Sequence, residues 1–313
     1  MTTALITHRD CLHHVTPPGH PERVDRLMAI YAAIDAMDDT GMLRVEAPMG
    51  TDADILRCHP QSHIDAVTEA APEAGSIALD ADTHMSPGSL RAAYLGVGAM
   101  TTAVDMVLGG EVQNAFAAMR PPGHHAEKTT PMGFCLFGNA AIATKHALDV
   151  HGLQRVAVVD FDVHHGNGTQ DLLWDEPRSL FISSHQMPLY PGSGAAHETG
   201  AHGNVLNVPL DGGTGGDALR KAYERIVLPA LNEFKPQLLI ISAGFDAHRD
   251  DPLAGLNWVE DDFVWATEQL CTVADTHCGG RVVSTLEGGY DLDALAASTR
   301  AHLEVLIERG THG

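Results

Sequence analysis

Four short stretches hold most of the side chains that could do chemistry in this 313-residue sequence. They are Arg120-Pro-Pro-Gly-His-His-Ala126, Asp160-Phe-Asp-Val-His-His-Gly-Asn-Gly-Thr169, Ala243-Gly-Phe-Asp246 and Glu287-Gly-Gly-Tyr290. In an extended segment residues two apart share a face, so Asp160, Asp162 and His164 can point the same way. Asp162 and His164 make a ready pair of metal ligands, and Asp246 could supply a third. Two carboxylates and one imidazole form an oxygen–oxygen–nitrogen set that suits Zn²⁺, Fe²⁺ or Mn²⁺. Three protein ligands leave a position for water, the arrangement of a catalytic rather than a structural metal. A single Asp-x-His is more often a pair of solvated loop residues; polar clusters after several neighbouring strands favour the metal.

Adjacent histidines on a Pro-Pro-Gly loop make poor core residues. A loop-held imidazole has the ordinary pKa range that proton transfer near neutral pH needs, which makes His124 and His125 candidates for it. By contrast, His13-His14 reads as a surface pair. Tyr290 follows Gly288-Gly289, so its ring can swing toward a site and its hydroxyl can stabilise a developing oxyanion. A Gly-Gly-Tyr is weak by itself, because strand-to-helix turns often carry glycine. Asp291 reads equally well as the N-cap of the last helix.

The elements that must position these residues are short apolar runs rich in β-branched side chains, the pattern of buried parallel strands. They are Ala4–Thr7, Ala115–Met119, Arg155–Asp160, Ser179–Ser183, Leu238–Ser242 and Arg281–Leu286. Helical patterns lie between them. Ser86-Pro87 reads as an N-cap with proline at the first helical position, opening a helix to about Leu108. Further helices are expected from Phe137 to His151, Asp217 to Phe234 and Asp261 to Thr276. Near the C-terminus Leu292, Leu295, Ala296, Thr299, Leu303 and Leu306 mark one helical face. Strands alternating with helices predict an α/β fold of three layers, a mostly parallel central sheet with helices on both faces. No repeat or composition break divides the chain, so residues 1–313 are expected to form a single domain. Such sheets place their sites beyond the C-terminal strand ends, where all four clusters fall.

Composition narrows the function. Lys plus Arg is 19 against 41 Asp plus Glu, a formal net charge of −22. That argues against nucleic acid as a partner and against an anionic membrane. It could steer cationic substrates, although acidity is also a plain route to solubility. The 5 cysteines are odd in number and include no Cys-x-x-Cys, which excludes a disulfide framework and a zinc–thiolate knuckle and fits a reducing compartment. Nothing resembles a signal peptide or a membrane span, so the expected location is cytoplasmic.

Together the clusters resemble the histone deacetylase family, within the arginase–deacetylase fold. The resemblance runs from His20-Pro-Glu-Arg23 to Tyr290. It takes in the stretches RPPGHHA at 120–126, GFCLFGNAA at 133–141, VDFDVHHGNGT at 159–169, YPGSG at 190–194, SAGFDAH at 242–248 and LEGGY at 286–290. Asn167, Leu253 and the LEGGY form are similar to the class II branch and its bacterial amidohydrolases. By this resemblance Asp162, His164 and Asp246 hold one Zn²⁺ per chain, and His125 is the general base that later protonates the leaving amine. His124 is its electrostatic partner. Asp160 stands behind His124 and Asn167 behind His125, and Tyr290 is the oxyanion tyrosine. Gly133, Phe134 and Leu253 wall a narrow acyl-lysine tunnel. Tyr190 stands where the family usually has a second tunnel phenylalanine, a departure that bears on the pocket's width and polarity. A structural K⁺ is implied near Asp160, Asp162, His164 and Ser183, partly through backbone carbonyls.

The implied activity is zinc-dependent removal of acetyl or related short acyl groups from an amine, the partner being an acylated amine substrate. Acetyl-lysine in protein, acetylated polyamines and other small N-acyl amines all fit one tunnel, and a homo-oligomer is compatible with it. Asp80, Asp82 and His84 could form a substrate-orienting rim or a solvated loop. Competing readings are a two-Mn²⁺ ureohydrolase, which needs further Asp ligands where His125 and Tyr290 stand, a binding module for acyl-lysine without turnover, and a metal-storage protein.

Overall fold

In the computed structural model, which describes residues 2–38 and 40–312, one eight-stranded sheet organises the chain. The strands in chain order are β1 (Thr3–Thr7), β2 (Met42–Glu46), β3 (Ile77–Ala78), β4 (His84–Met85), β5 (Asn114–Ala117), β6 (Val156–Asp160), β7 (Ser179–Gln186), β8 (Val205–Leu210), β9 (Leu238–Ala243) and β10 (Val282–Leu286). The large sheet runs β2-β1-β5-β10-β9-β6-β7-β8, and every pairing in it is parallel. β3 and β4 form a separate small antiparallel pair. All six expected strands are present.

The two large-sheet strands that the pattern did not reveal are its edges, and the reason is physical. On β2 the side chains of Leu43, Arg44 and Glu46 are exposed. β8 carries Pro209, which lacks an N–H for a further ladder and is tolerated at an edge. Neither reads as a continuous buried run, whereas β5, β6, β9 and β10 are buried at every position.

The helices are α1 (Val24–Asp35), α2 (Asp52–Ile55), α3 (Gln61–Ala70), α4 (Ser89–Leu108), α5 (Asn139–Asp149), α6 (Asn167–Leu173), α7 (Gly216–Ala222), α8 (Leu228–Phe234), α9 (Glu260–Cys278) and α10 (Leu292–His312). α1, α9 and α10 pack on one face of the sheet, α4 and α5 on the other. α4 begins two residues later than its proline predicts. The Ser86 hydroxyl caps no helix but accepts from Val15 N–H and donates to His13 C=O, while the Ser89 hydroxyl accepts from Ser86 N–H. The expected 217–234 helix is continuous but widens into a π-helical turn at Tyr223–Val227. Asp291 does cap α10, accepting from Ala294 N–H at 2.9 Å.

His13-His14 is not a surface pair. His13 is exposed, but His14 is buried, with Nδ1 2.6 Å from Ser89 Oγ and Nε2 3.2 Å from Glu22 Oε2. Among the described residues no helix is long and apolar enough to cross a membrane.

Candidate active site

The four clusters follow β5, β6, β9 and β10, which are the four adjacent central strands of the sheet. Their C-terminal ends therefore meet at one rim. Asp162, His164 and Asp246 converge there and are buried. His164 Nδ1 lies 3.1 Å from Asp162 Oδ1 and 3.1 Å from Asp246 Oδ2. The remaining carboxylate oxygens are held by backbone amides: Gly288 N–H donates to Asp162 Oδ2 at 2.8 Å, and Val163 N–H to Asp246 Oδ1 at 2.9 Å. This is why a glycine follows Glu287. A Cβ at Gly288 would collide with both carboxylates.

The donor set fits a divalent cation. One imidazole nitrogen lies between two buried carboxylate oxygens, and one N–H cannot satisfy both at full strength. Burial disfavours charge on His164, but hydrogen bonds and attraction to Asp162 and Asp246 outweigh it and push its pKa to about 10. Burial and the neighbouring Asp162 push Asp246 upward. The site therefore calls for positive charge, which a metal ion would supply to the same three atoms.

Beside the trio, His124 and His125 have ring centroids 4.0 Å apart, and their environments drive them in opposite directions. His124 Nδ1 sits 2.9 Å from Asp160 Oδ2, and its Nε2 is 3.8 Å from Asp162 Oδ2. Burial opposes its charging, yet Asp162, Asp160 and Glu287 raise its pKa well above the ordinary value. For His125, burial and then the charges of His124 and His164 hold the pKa well below that value. Its Nδ1 lies 2.7 Å from Asn167 Oδ1, and Asn167 Nδ2 donates in turn to Glu127 Oε1 at 2.8 Å. A protonated His124 and a neutral His125 are thus set by their surroundings.

Three supports escaped the sequence reading. Glu287, inside the LEGGY stretch, is fully buried; its Oε2 accepts from Gly123 and His124 N–H at 2.7 and 3.1 Å, and its Oε1 from the Ser242 hydroxyl. Arg26 is fully buried on α1 and donates to the carbonyls of Gly289 and Glu287, each at 2.6 Å. Its guanidinium carbon lies 4.9 Å from the Tyr290 ring centroid, and Glu22 pairs with both Arg26 and Arg120. Asp251 Oδ2 accepts from Tyr290 N–H at 2.7 Å. The sequence signals were Glu287 within the LEGGY stretch and the acidic and basic residues of the 20–26 segment, whose burial no local pattern reveals.

Above the trio opens a cavity of about 330 Å³. His125, His164 and Tyr290 reach it, Gly133, Phe134, Leu189, Tyr190 and Leu253 wall it, and His20 and Asp82 also line it. Gly133 has φ +54°, and a Cβ there would come within 2.5 Å of His125 Cδ2. Only glycine lets this wall approach the imidazole so closely. Tyr190 stacks edge-on to His125 with centroids 5.2 Å apart, and Phe134 to Tyr290 at 5.8 Å. Burial pushes the Tyr290 phenol well above its ordinary pKa, while Arg26 works against that rise. The hydroxyl is therefore a proton-bearing donor at neutral pH. Of the expected rim, Asp82 reaches the cavity, while Asp80 accepts from Asp82 and Thr83 N–H within its own loop. Ser183 pairs in register with Asp160, beside the trio, and its hydroxyl lies 2.9 Å from His185 Nδ1.

Comparison with known proteins agrees with this architecture. A family model described as histone deacetylase domain matches residues 19–306. A protein of Synechocystis sp. is 44% identical over 308 residues, covering 97% of this chain and 99% of its own. The histone deacetylase-like amidohydrolase of Pseudomonas aeruginosa is 42% identical over 284 residues, covering 88% and 74%. The crystal structure of the HDA15 HD domain superposes with a TM-score of 0.93 at 37% identity, covering 98% of this chain and 88% of that one. A wholly parallel sheet in this strand order, carrying its polar clusters at the central strand ends, defines an arginase–deacetylase fold. The chain belongs to the histone deacetylase family.

Proposed function

We propose that this chain is a zinc-dependent amidohydrolase that removes acetyl or related short acyl groups from amines such as Nε-acetyl-lysine, releasing acetate. The observation that carries the reading is the buried Asp162–His164–Asp246 trio at the base of a narrow cavity, with His125 and Tyr290 reaching the same space. Asp162, His164 and Asp246 would hold the ion, which when bound polarises the amide carbonyl and acidifies water. His125, kept neutral, takes the proton of the attacking water and delivers it to the amine, which must leave uncharged. His124, whose protonated form is favoured by Asp162, Asp160 and Glu287, stabilises negative charge developing beside it. The Tyr290 hydroxyl donates to the carbonyl oxygen as it becomes an oxyanion. Phe134, Tyr190 and Leu253 bury the thin alkyl chain of the acylated amine and exclude water around it.

We place a structural K⁺ near Asp160, Asp162, His164 and Ser183, and read the chain as one deacetylase domain working in the cytoplasm. Acetylated polyamines are the second substrate class, favoured by Asp82 at the cavity and by the net charge of −22. Metal-replete protein should release acetate from at least one member of a panel of acetyl-lysine peptides, acetylpolyamines and small N-acyl amines. Chelation should abolish this and Zn²⁺ should restore it. Binding of acyl-lysine without release would return the chain to the binding-module reading, and a requirement for two Mn²⁺ to the ureohydrolase one.

A further inference from the structure

A second cluster of ligand-type side chains lies away from the cavity, at the C-terminal ends of α4 and α5. Asp105 stands in the last turn of α4, His146 in the last turn of α5, and His151 just beyond it. Asp105 Oδ1 is 2.7 Å from His146 Nε2 and 2.7 Å from His151 Nε2. The imidazoles fan out rather than stack, with centroids 5.6 Å apart and planes 68° apart. Asp105 and His151 are exposed, and His146 is buried.

The buried histidine gives the second observation. His146 Nδ1 has no hydrogen-bond partner, and it faces Asp54 Oδ1 at 4.0 Å. Asp54 is fixed there, because its Oδ2 accepts from Thr51 N–H and the Thr51 hydroxyl. A neutral His146 that donates Nε2–H to Asp105 therefore turns a bare lone pair toward a carboxylate, acceptor against acceptor. An ion on Nε2 reverses this. The single proton then resides on Nδ1 and points at Asp54, the carboxylate–histidine–metal relay common behind metal ligands.

We propose that Asp105, His146 and His151 form a second metal site, for a divalent transition ion such as Zn²⁺, with solvent completing the shell. Two neutral imidazoles and one carboxylate suit that ion. The carbonyl ends of two helices converge on the site, and the helix dipoles favour a cation there. Both nitrogens stand 2.7 Å from Asp105 Oδ1, closer than tetrahedral Zn²⁺ would hold its ligand atoms, about 3.3 Å apart for bonds of about 2.0–2.2 Å. Small rotations of the exposed Asp105 and His151 side chains supply the difference. The bound ion would staple α4 to α5, with Asp54 of α2 behind it.

The test is Zn²⁺ uptake by chelator-stripped protein, titrated against a chromophoric chelator, for the parent, H151A, the D105N/H151A double variant and D246A. The parent should bind one equivalent more than the double variant, and H151A should hold that equivalent more weakly. Deacetylation should be unchanged in both. D246A should keep the surface equivalent, and its Tm should still rise with added Zn²⁺. Equal uptake by the parent and the double variant overturns the proposal. Loss of all uptake in D246A also overturns it, while leaving the active-site reading intact. If D246A binds as much as the parent, the active-site metal fails instead.

Discussion

At Tyr290 the phenol reaches the cavity while its backbone N–H is tied to Asp251 and its ring lies beside Arg26. Tyr290→Phe keeps the packing and deletes one donor to the developing oxyanion. It should lower kcat about 10²–10³-fold with KM and zinc content little changed, as loss of one such donor does elsewhere. Trifluoroacetyl substrates should suffer less than acetyl ones; a variant as active as the parent on acetyl substrates would end the mechanism. The histidine pair gives a second prediction. His125→Ala should cost about 10²–10⁴-fold in turnover with metal retained, and His124→Ala less. A reversed order in a side-by-side kinetic comparison exchanges the two roles. The pH profile follows from the same environment. His125 must be neutral to accept a proton, and its pKa is depressed by burial and by the neighbouring charges. Activity should therefore hold as pH falls through the ordinary imidazole range near 6.5, and the acid limb of kcat/KM should lie below it. An acid limb centred at or above 6.5 would contradict the assignment.

Elements act on this chemistry by setting distances. The 120–126 loop after β5 is held by Glu287, the residue after β10, and the wall at Gly133 is pressed against His125. Gly133→Ala places a methyl group where the imidazole stands and demands φ near +54° of an alanine. The imidazole must shift, and a misplacement of about 1 Å costs on the order of 10²-fold. The variant should fold with unchanged far-ultraviolet circular dichroism and bind Zn²⁺, yet turn over about 10²-fold more slowly. Parent-like turnover would show that the wall yields before the histidine does.

Beyond the site, three histidines outside the reaction, His59, His185 and His302, are buried in surroundings that favour the neutral form. Burial lowers His59 and His302 to about 3 and His185 to about 4. His302 sits between Thr267, which already donates to Phe263 C=O, and Ser284, so its Nδ1 donates to the former and its Nε2 accepts from the latter. In the unfolded chain these groups titrate near 6.5. Folded-state pKa values below unfolded ones mean that stability is full above about pH 6.5 and falls as pH drops toward 3–4. Each histidine contributes a slope of up to about 1.4 kcal/mol per pH unit. Urea midpoints should decline between pH 7 and pH 5, and His302→Gln should flatten part of that decline. Midpoints level across the interval would remove these histidines from the acid response.

Local pattern alone was enough to mark the candidate ligands and the buried strands that carry them. β5, β6, β9 and β10 are buried at every position, so no charged residue interrupts them and the charged and histidine clusters stand out where each strand stops. Asp160, Asp162 and His164 were legible as one group because closeness along the chain is a local property, although β6 stops at Asp160 and the chain bends through 162–164, so they do not share one extended face. Which strand lies beside which is not local. That Asp246 joins Asp162, and Glu287 cradles the His124 loop, depends on the order β5-β10-β9-β6, in which the last of these in the chain sits between two earlier ones. The edge strands β2 and β8 stayed hidden because exposure breaks their pattern. Buried Arg26, Glu22 and His14 look like surface residues until tertiary contacts neutralise and hydrogen-bond them. A charged side chain becomes a core residue only when its partner arrives from a distant part of the chain.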